Sequence, residues 1–257
     1  MTNFLDVTEL SGEEISGDQL KRLLTRYFWA GNYCKNKIIL EVACGTGPGL
    51  GYLKNVSKVI YASDFSIPIL KKAQEYYKKR VKFCCFDAQK IPFPDNSLDV
   101  VIIFEALYYL PSAEMFFKEC KRVLKNGGKV LISNANKDLY DFSPSPHSFE
   151  YHGVKELVKI MQRFDFSVEF FGSASIKRLG LIQKALRIIK KIAVSMNFMP
   201  KTMRGKRFIK RLVFGKQVIM PEELFPKENN IETPTQISSK EANTFYKVIL
   251  CKGTLSK

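Results

Sequence analysis

Ile38-Ile39-Leu40-Glu41-Val42-Ala43-Cys44-Gly45-Thr46-Gly47-Pro48-Gly49 is the stretch on which the fold turns. Apolar residues broken only by Glu41 form a short buried strand, which runs into three alternate glycines and then a helix. Glycine has no Cβ, so the backbone can bend sharply there and approach a ligand closely. In open α/β sheets, ligands bind beyond the carboxyl ends of the strands, where the strand order reverses. The turn therefore marks a nucleotide-like site. The dinucleotide pattern G-x-G-x-x-G fails, because its last position falls on Leu50 counted from Gly45 and on Tyr52 counted from Gly47. No Gly-Lys-Ser/Thr follows, so a P-loop is excluded as well. A loop that does not cradle phosphates suits a ligand without them.

Outward from this turn, strands and helices alternate. Leu20, Leu23, Leu24, Tyr27, Phe28 and Ala30 recur at helical spacing and predict a helix over residues 17–34. Strands are expected at 37–42, 59–62, 81–86, 98–104 and 129–133, with helices at 67–79 and 112–124 between them. Leu98–Phe104 is almost continuously apolar, as for a strand buried on both faces. A helix at 154–164 and strands at 167–171 and 244–251 complete the set. This alternation implies right-handed crossovers and a doubly wound, seven-stranded, mainly parallel α/β sheet with helices on both faces.

The glycine turn resembles motif I of the class I S-adenosylmethionine-dependent methyltransferases, and three further segments resemble that family in the right order. Tyr61-Ala62-Ser63-Asp64-Phe65-Ser66 is similar to the strand end that carries the family's ribose-binding acid. A carboxylate can accept both hydroxyl protons at once. Phe86-Asp87-Ala88-Gln89-Lys90-Ile91-Pro92-Phe93-Pro94 looks like the adenine-binding turn, where Asp87 would meet the exocyclic amine and the Ala88 amide a ring nitrogen. Ser97–Leu107 is similar to the strand whose backbone lines the methionine end, at Phe104. The resemblance covers roughly residues 38–134. It implies a Rossmann-like methyltransferase fold whose last strand is antiparallel, S-adenosyl-L-methionine as cofactor and S-adenosyl-L-homocysteine as product. The cofactor residues it implies are Glu41, Ala43, Gly45, Gly47, Asp64, Phe65, Asp87, Ala88 and Phe104, with Glu41 meeting the ammonium group and Phe65 flanking the adenine.

Methyl transfer from a sulfonium is an in-line displacement that depends on proximity and alignment. A base is needed only if the accepting atom must lose a proton. Tyr108, Tyr109, Tyr140, His147 and His152 are the candidates above the strand ends. Both histidines of the chain lie in the loop after the fifth strand, and His147 is the candidate base because histidine titrates near neutrality. Six cysteines without CxxC spacing read as reduced core thiols, and no metal site is expected.

The formal net charge of +16 is concentrated. Residues 170–221 contain thirteen Lys/Arg and no Asp or Glu, which leaves about +3 for the remainder. Leu181–Met196 has apolar and cationic residues at helical spacing. A cofactor-binding domain is thus expected at residues 1–173 and 243–257, with its motif core at 38–134 and a basic, partly helical insertion at 174–242 before the final strand. That insertion reads as a solvated helix packed on the domain, as an interfacial helix meeting anionic lipid, or as a cap for an anionic substrate. No apolar run approaches the ~20 residues that span a bilayer, and the acidic N-terminus is unlike a targeting peptide. The expected address is the cytoplasm, with peripheral contact at the inner membrane surface under the lipid reading. The expected acceptor is a small molecule, anionic or lipid-linked: a sugar, a lipid-linked glycan precursor or a quinone-type ring. Two alternatives stand beside it, an RNA methyltransferase using the basic segment and a non-catalytic S-adenosylmethionine-binding protein.

Overall fold

The computed structural model describes residues 10–145, 147–176, 217–225 and 231–256. Short strand β1 (Glu14–Ser16) leads into helix α1 (Gly17–Cys34). Ser16 caps that helix: its hydroxyl accepts from the Gln19 amide, and the Gln19 side chain accepts from the Ser16 amide in return. There follow β2 (Ile38–Val42), α2 (Leu50–Val56), β3 (Val59–Asp64), α3 (Ile67–Tyr77), β4 (Lys82–Cys85) and β5 (Leu98–Phe104). Next come α4 (Ala113–Val123), β6 (Leu124–Ala135), α5 (Val154–Gln162) and β7 (Phe166–Ser175). Strands β8 (Gln217–Ile219), β9 (Thr235–Ile237) and β10 (Tyr246–Leu255) finish the described chain.

The main sheet runs β4-β3-β2-β5-β6-β10-β7-β9. Strands β2 to β6 are mutually parallel, and β10 is antiparallel to both β6 and β7, so the doubly wound order and the antiparallel last strand are as expected. The order reverses beside β2. Its carboxyl end therefore opens a crevice at the glycine turn.

Apolar faces of the strands divide into two cores. Ile39, Val100, Ile102, Phe104 and Leu131 pack with α1, α2 and α3. Leu40, Val42, Val101, Ile103, Val130 and Ile132 pack with α4 and α5 on the opposite face. Residues of β5 are buried on both sides, which is why that strand reads as an unbroken apolar run.

The sheet has eight strands rather than the expected seven. The extra one is β9, which pairs with β7 from within the span read as an insertion. A second, two-stranded sheet joins β1 to β8. The acidic N-terminal segment is thus tied, over Glu14–Ser16, to the residues directly after Lys216, the last cation of the basic stretch. Most of that stretch, including the helix expected at 181–196, lies outside the described residues. All six cysteines are free thiols, four of them buried. Among the described residues, no helix is long and apolar enough to cross a membrane.

Candidate functional site

At the end of β2 the backbone leaves the ordinary regions repeatedly, with φ of 51° at Ala43, 60° at Gly45 and 76° at Gly47. A Cβ on Gly47 would lie 2.4 Å from a Leu50 methyl carbon, so this position demands glycine on two counts. Ala43 takes a left-handed conformation that its Cβ disfavours. Neighbouring elements fasten the turn. The Tyr77 hydroxyl donates to the Gly47 carbonyl at 2.7 Å, and the Gly45 amide donates to Asp64 Oδ2 at 2.9 Å. From outside, the Leu224 amide donates to the Pro48 carbonyl at 2.7 Å, and the hydroxyls of Ser11 and Thr46 lie 2.8 Å apart.

Glu41 is the central charge of the site. It is 1% exposed at the carboxyl end of β2. The Tyr27 hydroxyl donates to its Oε1 at 2.6 Å, whereas Oε2 is buried with no hydrogen-bond partner among the described residues. Burial pushes its carboxyl up to about 7, opposed by the Tyr27 hydrogen bond and by the charge of Arg26. A buried acceptor left unmet is costly and calls for a donor. Tyr27 is itself wedged in place, since a Cβ on Gly49 would lie 2.1 Å from its ring.

Asp64 ends β3 and accepts one hydrogen bond at each oxygen, from the Gly45 amide and, at 2.8 Å, from the Ser66 amide. Desolvation raises its carboxyl, against the pull of those amides. An ionised carboxylate offers about four acceptor positions, so two hydroxyls can still be accommodated. Phe65 follows with its ring 61% exposed. After β4, Asp87 Oδ1 accepts from the Gln89 amide at 2.9 Å, and Ala88 is buried. Phe104 closes the row at the end of β5, its ring edge-on to Tyr27 at 5.3 Å. The expected cofactor residues therefore line one edge of the sheet, and their chemistry fits a ligand with an ammonium group, a diol and a flat base. Among the described residues no cluster of metal-ligating side chains is found.

The acceptor-side candidates separate. Tyr108 is buried and stacks on Tyr151 at 4.1 Å, and Phe142 meets Tyr151 edge-on at 4.8 Å. The Phe149 amide donates to the Tyr108 carbonyl at 2.8 Å, and the Tyr109 hydroxyl lies 2.5 Å from that of Ser145. These contacts hold the β6–α5 loop over the end of β5. His147 rides on that loop, exposed and with φ of 64°. Tyr140 is 51% exposed. His152 is 7% exposed, and burial lowers its pKa, which keeps it neutral. Among the described residues, neither histidine has a polar partner in the glycine turn; His152 Nδ1 lies 3.9 Å from Glu150 Oε1.

Several residues of the site escaped sequence reasoning. Tyr27 was legible only as part of an apolar helical stripe, and Arg26 only as a polar neighbour of it. Tyr151 and Ser133 gave no signal. Glu105 stands just past the last strand residue, with φ of 51°, and takes the Ser133 hydroxyl at 2.8 Å. Its one sequence cue is a charge directly after a buried apolar run.

Comparison with known proteins bears on the family and the fold. Residues 40–132 match a family model described as "Methyltransferase domain". A "probable S-adenosylmethionine-dependent methyltransferase" of Mycolicibacterium smegmatis is 29% identical over 142 residues, which are 53% of this chain and 54% of that relative. A demethylmenaquinone methyltransferase of a Geobacillus species is 37% identical over 107 residues, 39% of this chain and 46% of the relative. The chain thus spans about half the length of these curated relatives. The crystal structure of the YcgJ protein from Bacillus subtilis superposes with a TM-score of 0.58 over 90% of this chain and 98% of that one. At 14% identity, that likeness concerns the fold alone.

Proposed function

With residues 40–132 belonging to the class I S-adenosylmethionine-dependent methyltransferase family, we propose that the protein binds S-adenosyl-L-methionine at the glycine turn and transfers its methyl group to a small-molecule acceptor. The observation that carries this reading is Glu41, a buried carboxylate with one oxygen satisfied by Tyr27 and the other unmet, at the mouth of a turn bent for close approach. The ammonium of the methionine end supplies the missing donor. Asp64 takes the ribose hydroxyls, and Phe65, Asp87 and Ala88 hold the adenine. When bound, the cofactor supplies an electrophilic methyl on sulfur. The chain supplies position and the exclusion of water, by which such a displacement is chiefly accelerated.

Residues 1–173 and 243–257 form the donor-binding domain in this reading, and residues 174–242 specify the acceptor. A quinone-type ring is favoured by the resemblance to the demethylmenaquinone methyltransferase. A sugar or lipid-linked glycan precursor is favoured by the thirteen cations of residues 170–221, which also suit peripheral contact with an anionic membrane from the cytoplasmic side. The same cations favour a second reading, an RNA methyltransferase. RNA binding that weakens steeply with salt, and is lost when the cations of residues 201–211 are neutralised, would support it. Isotope-labelled methyl donor, incubated with the protein and a small-molecule cell extract, is expected to label an extractable compound. Donor binding without any labelled product would rule out the small-molecule reading and leave the RNA and non-catalytic alternatives.

A further inference from the structure

Directly after β8 the chain packs against the outside of the glycine turn. The Met220 amide donates to the Glu13 carbonyl at 2.8 Å, and its carbonyl accepts from the Gly12 amide at 2.9 Å. Met220 and Leu224 are each 2% exposed and join the core that holds Leu50, Leu53 and Tyr77. The hydrogen bond from the Leu224 amide to the Pro48 carbonyl is one hold on the turn. Glu223 supplies a second. It is buried, and its Oε2 accepts from Arg80 Nη1 at 2.9 Å and from the Tyr76 hydroxyl at 3.1 Å. Its Oε1 fills the space that a side chain on Gly51 of α2 would need, since a Cβ there would lie 1.6 Å away.

Arg80 carries this hold inward. Its guanidinium lies 4.8 Å from the centre of the Tyr77 ring and 5.3 Å from that of Tyr76, within cation–π reach of both. The buried Tyr77 hydroxyl accepts from the Gly51 amide at 3.3 Å and donates to the Gly47 carbonyl. So Glu223 fixes Arg80, Arg80 covers Tyr77, and Tyr77 fastens the bend that must approach the donor. We propose that Glu223 is a positioning residue for the donor turn, through which the span that specifies the acceptor also sets the affinity for the donor. This rests on the donor reading given above and adds to it a regulation of the same site. Coupling of this kind is reciprocal: a strap that tightens the turn is itself tightened when the donor binds.

Gly51→Ala separates this role from simple support of the fold. Alanine is the better helix former, and its methyl displaces the end of a flexible side chain, Glu223, while leaving that residue in the sequence. Calorimetric titration of the full chain with S-adenosylhomocysteine is expected to show Glu223→Ala, Arg80→Met and Gly51→Ala each weakening binding by about fivefold, with the Arg80→Met/Glu223→Ala double variant no weaker than either single one. Saturating S-adenosylhomocysteine is expected to slow hydrogen exchange of the Leu224 amide by about the same factor in the wild type, and by less in Glu223→Ala. If Glu223→Ala fails to fold, Gly51→Ala carries the test. Unchanged affinity in Gly51→Ala, additive losses in the double variant, or a Leu224 amide indifferent to the ligand would each overturn the coupling. A wild-type protein that does not bind S-adenosylhomocysteine would instead strike down the donor reading on which it rests.

Discussion

Glu41 makes donor affinity depend on pH in a defined direction. Its carboxyl is raised from an ordinary 4.5 to about 7 by burial, and the titratable or charged groups that face it are Tyr27, Arg26 and Cys34 on α1 and Cys44 in the turn. Below about 7 the empty protein keeps a proton on Glu41, whereas pairing with an ammonium requires the ionised form. Binding must then expel that proton. Affinity is expected to level off above about pH 7 and to fall by about tenfold, or about 1.4 kcal/mol, for each pH unit below it. At about pH 5.5 the loss reaches roughly thirtyfold. Stability of the empty protein moves the other way. Because the folded value lies above the unfolded one, the contribution of Glu41 is fully present below about 4.5 and is lost as pH rises through about 7, some ~3 kcal/mol in total. Titrating S-adenosylhomocysteine at about pH 6 in buffers of different ionisation enthalpy should show close to one proton released per ligand. Glu41→Gln should bind weakly at every pH and release none. A wild-type affinity that stays flat from about pH 5.5 to about pH 7.5, or a slope that survives in Glu41→Gln, would refute the reasoning.

Three further substitutions probe the same edge. Asp64→Ala should weaken S-adenosylhomocysteine by about 1–3 kcal/mol, since the ribose hydroxyls and the Gly45 and Ser66 amides lose their acceptor; unchanged affinity by calorimetry would remove Asp64 from the site. Gly47→Val places a branched side chain at φ of 76° and against Leu50, and should abolish donor binding. A folded Gly47→Val protein that titrates like wild type would locate the ligand elsewhere. Ala43→Gly relieves a left-handed alanine and should raise stability in urea by about 0.5–1 kcal/mol, with a loss counting against the strained turn.

The parts of the fold that were legible share a physical cause. Parallel strands covered on both faces must be apolar throughout, so Leu98–Phe104 declares itself, and a turn requiring positive φ must spend glycines, so Gly45 and Gly47 do as well. Carboxylates at or just past strand ends, Asp64 on β3 and Asp87 after β4, stand out as charges that close largely apolar runs. What stayed hidden depends on partners far away in sequence. Tyr27 looks like any core residue of an amphipathic helix until Glu41 is brought under its hydroxyl. Strands β1, β8 and β9 have three residues each, too few to establish an alternation of period two. Tyr151 acquires its stacking role only when the β6–α5 loop folds back onto Tyr108.

A crystal structure with S-adenosylhomocysteine bound tests the donor site most directly. The expected result is an amino group within hydrogen-bond distance of Glu41 Oε2, the ribose hydroxyls on Asp64, and the glycine turn unmoved. Density for the ligand away from this edge, or an Oε2 that still faces no donor with the ligand in place, would contradict it.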